Sequence, residues 1–237
     1  MTETETILAV AREDLLARDA QGHTDSLVWD HSQRVARTAL QLADLPEMAE
    51  HRRDRIALFV AGLYHDAGWI VDHRENRVAL GKLLTRPTSD MQREFGAAWM
   101  SERLAGHVRG ATLAVAASAI RNCNHRDTDQ LEAQLVAEAE NLDEIGPLAI
   151  VRMLRRHRQD ADGLTTVIDT WHRQQEYHFW PARIKECFRL DVTRRLAEER
   201  LAQLETFMYA LTNCHRGDDL AERLAELGAS VPAMPTP

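Results

Sequence analysis

A histidine and an aspartate stand side by side at positions 65 and 66, where an almost wholly apolar run ends: Ile56-Ala-Leu-Phe-Val-Ala-Gly-Leu-Tyr-His65-Asp66-Ala-Gly68. An imidazole nitrogen and a carboxylate oxygen at one helix end are good donors for a divalent cation. Burying them unpaired would be costly, and coordination would offset that cost. The dipeptide alone says little in a chain with 11 histidines. Its context says more. His31 lies on the apolar stripe of Val28, Val35, Ala39 and Leu42, so a second imidazole faces inward one helix earlier. Further along runs the acidic stretch Ala137-Glu138-Ala139-Glu140-Asn141-Leu142-Asp143-Glu144-Ile145-Gly146, in which Glu140 and Asp143 share a helix face and a third or fourth ligand can be found.

These residues need elements to hold them, and the chain supplies helices. Apolar residues recur at three- and four-residue spacing between sparse glycines and prolines, and no alternating strand pattern competes. The spacing predicts an all-α fold with helices at about 4–20, 26–45, 51–66, 90–106, 111–123, 129–142, 147–157, 163–178, 181–189 and 192–213. Gly68 reads as a helix stop, and 71–90 as a mixed segment containing Arg86-Pro87-Thr88-Ser89-Asp90, a loop that ends in an N-cap for the next helix. In the last helix Leu201, Leu204, Met208 and Leu211 fall on one face, which is expected to pack on its own domain, with a homodimer as the alternative. The tail from Gly228, with three of the seven prolines, reads as frayed. No repeat or linker divides the chain, so 1–237 is expected to be a single all-helical domain.

With 44% hydrophobic and 28% charged residues the composition is that of a globular protein with a real core. The net charge of −8 opposes general nucleic-acid binding, which depends on a basic surface. Residues 152–200 are locally basic, either a face for an anionic ligand or a solvated surface. No apolar stretch approaches the roughly 20 residues a bilayer span needs, and the acidic start is unlike a signal peptide, so a cytoplasmic protein is expected. Cys123, Cys187 and Cys214 are widely spaced and support neither a disulfide framework nor a cysteine zinc site. The aromatic group of Trp171, Tyr177, Phe179 and Trp180 is expected to lock a C-terminal helix onto the core, with a pocket wall as the alternative.

Taken together, the motifs resemble the HD-domain metal-dependent phosphohydrolases, all-helical enzymes whose ligands follow the order His … His-Asp … Asp. The resemblance covers a core of about 25–152, leaving a C-terminal helical extension of about 160–227. It rests on His31-Ser-Gln-Arg34-Val35, on Ala61-Gly-Leu-Tyr-His65-Asp66-Ala-Gly68, and on Ala139-Glu140-Asn-Leu142-Asp143-Glu-Ile145-Gly146 followed by Arg152. It implies that His31, His65 and Asp66 hold a divalent ion (Mn, Fe, Co, Ni, Zn or Mg). Where the family reads Ala-Asp-x-Leu-Asp this chain has Glu140, the implied last ligand, with Asp143 as the alternative.

The implied activity is hydrolysis of a phosphoester or phosphoanhydride in a small, nucleotide-like or phosphorylated metabolite. Such an ion makes water acidic and polarises a phosphoryl oxygen. Asp66 would also orient the water, an arginine among Arg34, Arg121, Arg126 and Arg152 would stabilise developing charge, and His125 would donate a proton to the leaving group. Two subclasses fit poorly. Ile70 and Val71 stand where guanosine-tetraphosphate hydrolases carry Glu-Asp, and the Gly-Tyr-Pro signature of cyclic-dinucleotide phosphodiesterases is absent. His73, His107 and His125 do not match the extra histidines of the related di-iron oxygenases, so one metal is expected. The competing readings are a catalytically impaired HD fold that binds a metabolite or partner and, more weakly, a di-iron oxygenase.

Overall fold

The computed structural model describes residues 2–157 and 163–228, within which there are twelve α-helices and one two-residue hairpin. The first helix, α1 (Glu3–Leu15), opens on a capping box in which Thr2 and Glu5 satisfy each other's backbone N–H. It ends sooner than its sequence pattern suggests. The chain then turns through a small antiparallel pair, β1 (Ala17–Arg18) and β2 (Thr24–Asp25), closed by Asp19 accepting from the backbone of Gln21 and His23.

Helix α2 (Leu27–Ala43) lays its apolar face on α3 (Arg55–Tyr64) and on α7 (Leu131–Asp143), and α3 in turn meets α6 (Gly110–Asn122). The start of α3 is tightly defined. Asp54 accepts from the N–H groups of Ile56 and Ala57, receives the Thr112 hydroxyl at 2.8 Å, and donates its own N–H to Glu132 at 2.9 Å. The crossing of α2 and α3 is equally close: a β-carbon on Gly62 would stand 2.6 Å from the Ala36 Cα. That approach brings the inward imidazole of α2 against the end of α3.

Gly68 does not stop a helix; it opens one. Helix α4 (Gly68–Arg74) begins there and packs on α5 (Asp90–Arg103), occupying the start of the mixed segment. The cap of α5 does match the sequence, with Ser89 and Gln92 forming a capping box.

The C-terminal helices are α8 (Leu148–His157), α9 (Gly163–Glu176), α10 (Phe179–Cys187), α11 (Asp191–Arg216) and α12 (Asp218–Glu226). Their core is a second apolar cluster joining Leu142 and Ile145 to Trp171, Trp180, Leu201, Leu204 and Met208. The apolar face of α11 is therefore covered by its own chain. It is tied to α7 through Glu138, which accepts from the Arg189 N–H at 2.6 Å and from the Thr193 hydroxyl. The sequence reading has no counterpart for α12, and the tail beyond residue 228 lies outside the described residues. No helix among the described residues is long and apolar enough to cross a membrane.

Candidate metal centre

His31, His65 and Asp66 meet in the interior, at 0%, 0% and 2% exposure. Three helix segments deliver them: the inner face of α2, the residue that ends α3, and the short turn before α4. The ring nitrogens can be assigned from their partners. His65 Nδ1 lies 2.8 Å from the Gly62 carbonyl oxygen, which only accepts, so Nδ1 carries the proton and Nε2 is a bare lone pair. His31 Nδ1 lies 2.7 Å from Asp143 Oδ2. Burial opposes ionisation of Asp143, but hydrogen bonds from His31 and Arg34 outweigh it and hold the carboxyl well below its usual range. Asp143 is thus an acceptor, and His31 Nδ1 donates to it.

The two Nε2 atoms then face each other 3.0 Å apart, with Asp66 Oδ2 3.3 Å from one and 3.6 Å from the other. When His31 gives up its Nε2 proton, three electron pairs converge on one buried point, an arrangement that a cation relieves. Burial keeps His65 below the ordinary imidazole range. Burial and the Arg152 charge push His31 the same way, but Asp143 and Asp66 more than compensate and raise it. Asp66 is opposed by burial yet held far below normal by His65 and Arg93. Two imidazole nitrogens and a carboxylate oxygen, each backed by a further hydrogen bond, are a donor set that fits a transition-metal ion.

The acidic helix α7 contributes beside this cluster rather than within it. Arg34 donates to Asp143 through Nε at 2.6 Å and Nη2 at 3.0 Å, so both Asp143 oxygens are committed. Glu140 faces Arg93 instead, with both oxygens 2.8 Å from Nη2. Arg152 brings Nη2 to 2.9 Å from His31 Nδ1 and pairs with Glu144 at 2.5 Å. Since His31 Nδ1 donates to Asp143, that Arg152 contact juxtaposes two donors and places a positive charge beside the imidazole.

The other residues singled out in the sequence lie elsewhere. Arg121 and Arg126 pair with Glu94 and Glu186 on the surface. His125 is exposed on the loop after α6, with Nδ1 3.2 Å from Asn122 Oδ1. His107 is exposed, and His73 is half-buried between the carbonyls of Val78 and Arg18.

Arg93 is the residue that sequence reading passed over. It is 1% exposed, and its guanidinium joins the His65 carbonyl, Asp66 Oδ1, Asn124 Oδ1 and Glu140. A signal was present: Arg93 stands at the head of the stripe Gly96, Ala97 and Met100, a polar residue on an apolar face just as His31 is.

Two hollows adjoin the centre. A cavity of about 840 Å³ reaches from Thr88, Arg93 and Glu140 to Tyr177, Phe179 and Arg183. A smaller one of about 350 Å³ is lined by Arg86, Arg152, Arg156 and Arg183 with Glu144 as its acidic member. The aromatic group therefore divides: Trp171 and Trp180 are buried in the C-terminal core, while Phe179 and Tyr177 are exposed along the larger cavity, at 41% and 77%. A third hollow, about 520 Å³ beside the small hairpin, shares none of these residues.

The acid limb of stability should report the Asp143 pairing. A carboxyl held below its unfolded value stabilises the fold fully above about pH 4, and that contribution is lost as pH falls further. Asp143→Asn is expected to cost about 2 kcal/mol at neutral pH and to flatten the fall in Tm below pH 4. Parallel acid limbs in parent and variant melting curves would refute the assignment.

Residues 28–145 match the HD domain family, a span running from the start of α2 to just past α7. No curated protein matches the chain. Among solved structures, Bacillus subtilis YpgQ is 19% identical, covering 89% of this chain and 96% of its own, with a TM-score of 0.57. The same protein in complex with ADP is 17% identical over 87% and 94%, at 0.49. A predicted HD superfamily hydrolase from an uncultured Thermotogales bacterium is 20% identical over 94% and 99%, at 0.48. The likeness to YpgQ is one of fold; the matched span contains His31, His65 and Asp66. The chain belongs to the HD-domain superfamily.

Proposed function

We propose that this protein is a metal-dependent phosphohydrolase of the cytoplasm, acting on a phosphoester or phosphoanhydride of a small, nucleotide-like metabolite. The observation that carries the reading is the hollow lined by Arg86, Arg152, Arg156 and Arg183, set against the centre through Arg152. Four guanidinium groups against one carboxylate favour a polyanion, and the planar fork of arginine suits phosphate oxygens. In a chain of net charge −8 such a concentration is local and directional.

The residues proposed to hold the ion are His31, His65 and Asp66, with Glu140 as the remaining carboxylate. Both acidic candidates already have partners, Asp143 in His31 and Arg34 and Glu140 in Arg93, and Glu140 is preferred because it stands at the family's ligand position and would have to share an oxygen with Arg93. When bound, the ion would supply Lewis acidity, making water nucleophilic near neutral pH and drawing charge from a phosphoryl oxygen. The chain's own groups do the rest. Asp143 fixes the His31 tautomer, and Arg34 acts through Asp143. Arg152 offers positive charge to the phosphoryl group from the hollow's edge. His125, exposed between Asn124 and Arg126, which line the larger cavity, is the proposed proton donor to the leaving group. Tyr177 and Phe179, from the C-terminal extension, form an apolar wall for the rest of the substrate. Three free thiols suit a reducing compartment.

The test is release of phosphate or pyrophosphate from a panel of phosphomonoesters and nucleoside mono-, di- and triphosphates, with each of Mn, Fe, Co, Ni, Zn and Mg and with a chelator. Turnover that appears with a metal and vanishes with the chelator is expected. No turnover with any metal, alongside retained nucleotide binding, would leave the binding-module reading in its place.

A further inference from the structure

Asp66 divides its two oxygens between different partners. Oδ2 faces the imidazole pair, while Oδ1 accepts from the Thr88 hydroxyl at 2.6 Å and from Arg93 Nη1 at 3.1 Å. The same guanidinium takes the His65 carbonyl at 2.6 Å, Asn124 Oδ1 at 3.1 Å and both Glu140 oxygens at 2.8 Å. Two carboxylates, an amide and a backbone carbonyl surround one buried positive charge. That is the set of oxygen donors a hard divalent ion collects. A carboxylate that bridges two ions must give an oxygen to each, and here the second oxygen is already engaged.

We propose that Arg93 stands in the place of a second cation, so that the centre accepts one divalent ion and no more. The inference rests on the metal reading above and sharpens it: Arg93 is a positioning residue that fixes how many ions the site can hold. Guanidinium does not lose its proton in proteins, so this internal cation is permanent. It also explains why Glu140, on α7, and Asn124, on the turn after α6, converge on a point beside Asp66. Without Arg93, Asp66 and Glu140 would lose the guanidinium that pairs with both, a costly change that an added ion would offset.

The test is Mn2+ titration of the parent, Arg93→Gln and Arg93→Lys, read as moles of metal per chain by elemental analysis after dialysis. Electron paramagnetic resonance then distinguishes an isolated ion from an exchange-coupled pair. The parent is expected to bind one isolated ion, Arg93→Gln two coupled ions, and Arg93→Lys, which keeps the charge, one. A folded Arg93→Gln that still takes one ion overturns the proposal, as does a lysine variant that takes two. If neither variant folds, the parent decides: one uncoupled ion at saturating Mn2+ upholds the proposal and a coupled pair overturns it. A parent that binds no Mn2+ at all removes the metal reading itself, a result distinct from all of these.

Discussion

Asp66→Asn and His65→Ala are each expected to remove the bound divalent ion and to lower metal-dependent phosphate release roughly a thousandfold or more. The expectation follows from how little else could replace them. His31 and His65 offer one Nε2 each, and Asp66 is the carboxylate that faces both, at 3.3 and 3.6 Å. Asparagine keeps the shape and can still accept from Thr88, yet it forfeits the negative charge. Alanine at 65 leaves one imidazole where two converged. The measurement is metal content of parent and variants purified side by side, with circular dichroism to confirm the fold and a melting curve with and without Mn2+. Ligand binding to the native state raises stability by mass action, so Mn2+ should raise the parent's Tm and leave the variants unmoved. Equal metal in all three proteins would place the ion elsewhere. Metal lost with hydrolysis unchanged would separate the ion from the chemistry.

These residues were legible in the sequence because each breaks a pattern. His31 interrupts an apolar stripe, and His65-Asp66 ends an apolar run, so their burial follows from periodicity before any contact is known. The family's all-α fold follows from the same spacing. What the pattern cannot carry is pairing between distant segments. Asp143 meets His31 across 112 residues, and nothing local distinguishes its carboxylate, which orients a histidine, from that of Glu140, which meets an arginine. Arg93 obeys the same rule as His31, but an arginine at the head of a helix reads as a solvated charge unless the buried acceptors around it are known. The α4 helix escaped notice for another reason. Its residues mix Trp69 and Ile70 with Asp72, His73 and Arg74, and Gly68 suggests a break, because sequence shows that a glycine is present without showing what presses against it.

What presses against Gly68 is the backbone of α5, and Gly68→Ala is expected to be among the most damaging single-methyl additions in the chain. The new β-carbon would stand 2.1 Å from the Gln92 carbonyl oxygen, 2.6 Å from its carbonyl carbon and 2.7 Å from its Cα. Backbone cannot rotate aside as a side chain can, so α4 and α5 must separate. Gly96 gives no relief, since its own β-carbon position lies 3.1 Å from the Gly68 nitrogen. The separation would pull on both ends of the centre. Gln92 is bonded to Asp72 at 2.8 Å, and Arg93, the next residue, holds the His65 carbonyl and Asp66. A loss of about 3 kcal/mol or more is expected, lowering Tm by on the order of 10 °C in a chain of this size. Metal affinity should fall with it, because the guanidinium that positions Asp66 moves with α5. Gly110→Ala is the control: nothing lies within 4 Å of its β-carbon position, and its backbone is at a helix start, so stability should hold or rise slightly. Melting curves of the two variants decide the matter. If Gly68→Ala melts alongside Gly110→Ala and the parent, the helices are not in contact there, and the link from α5 to the metal centre fails with them.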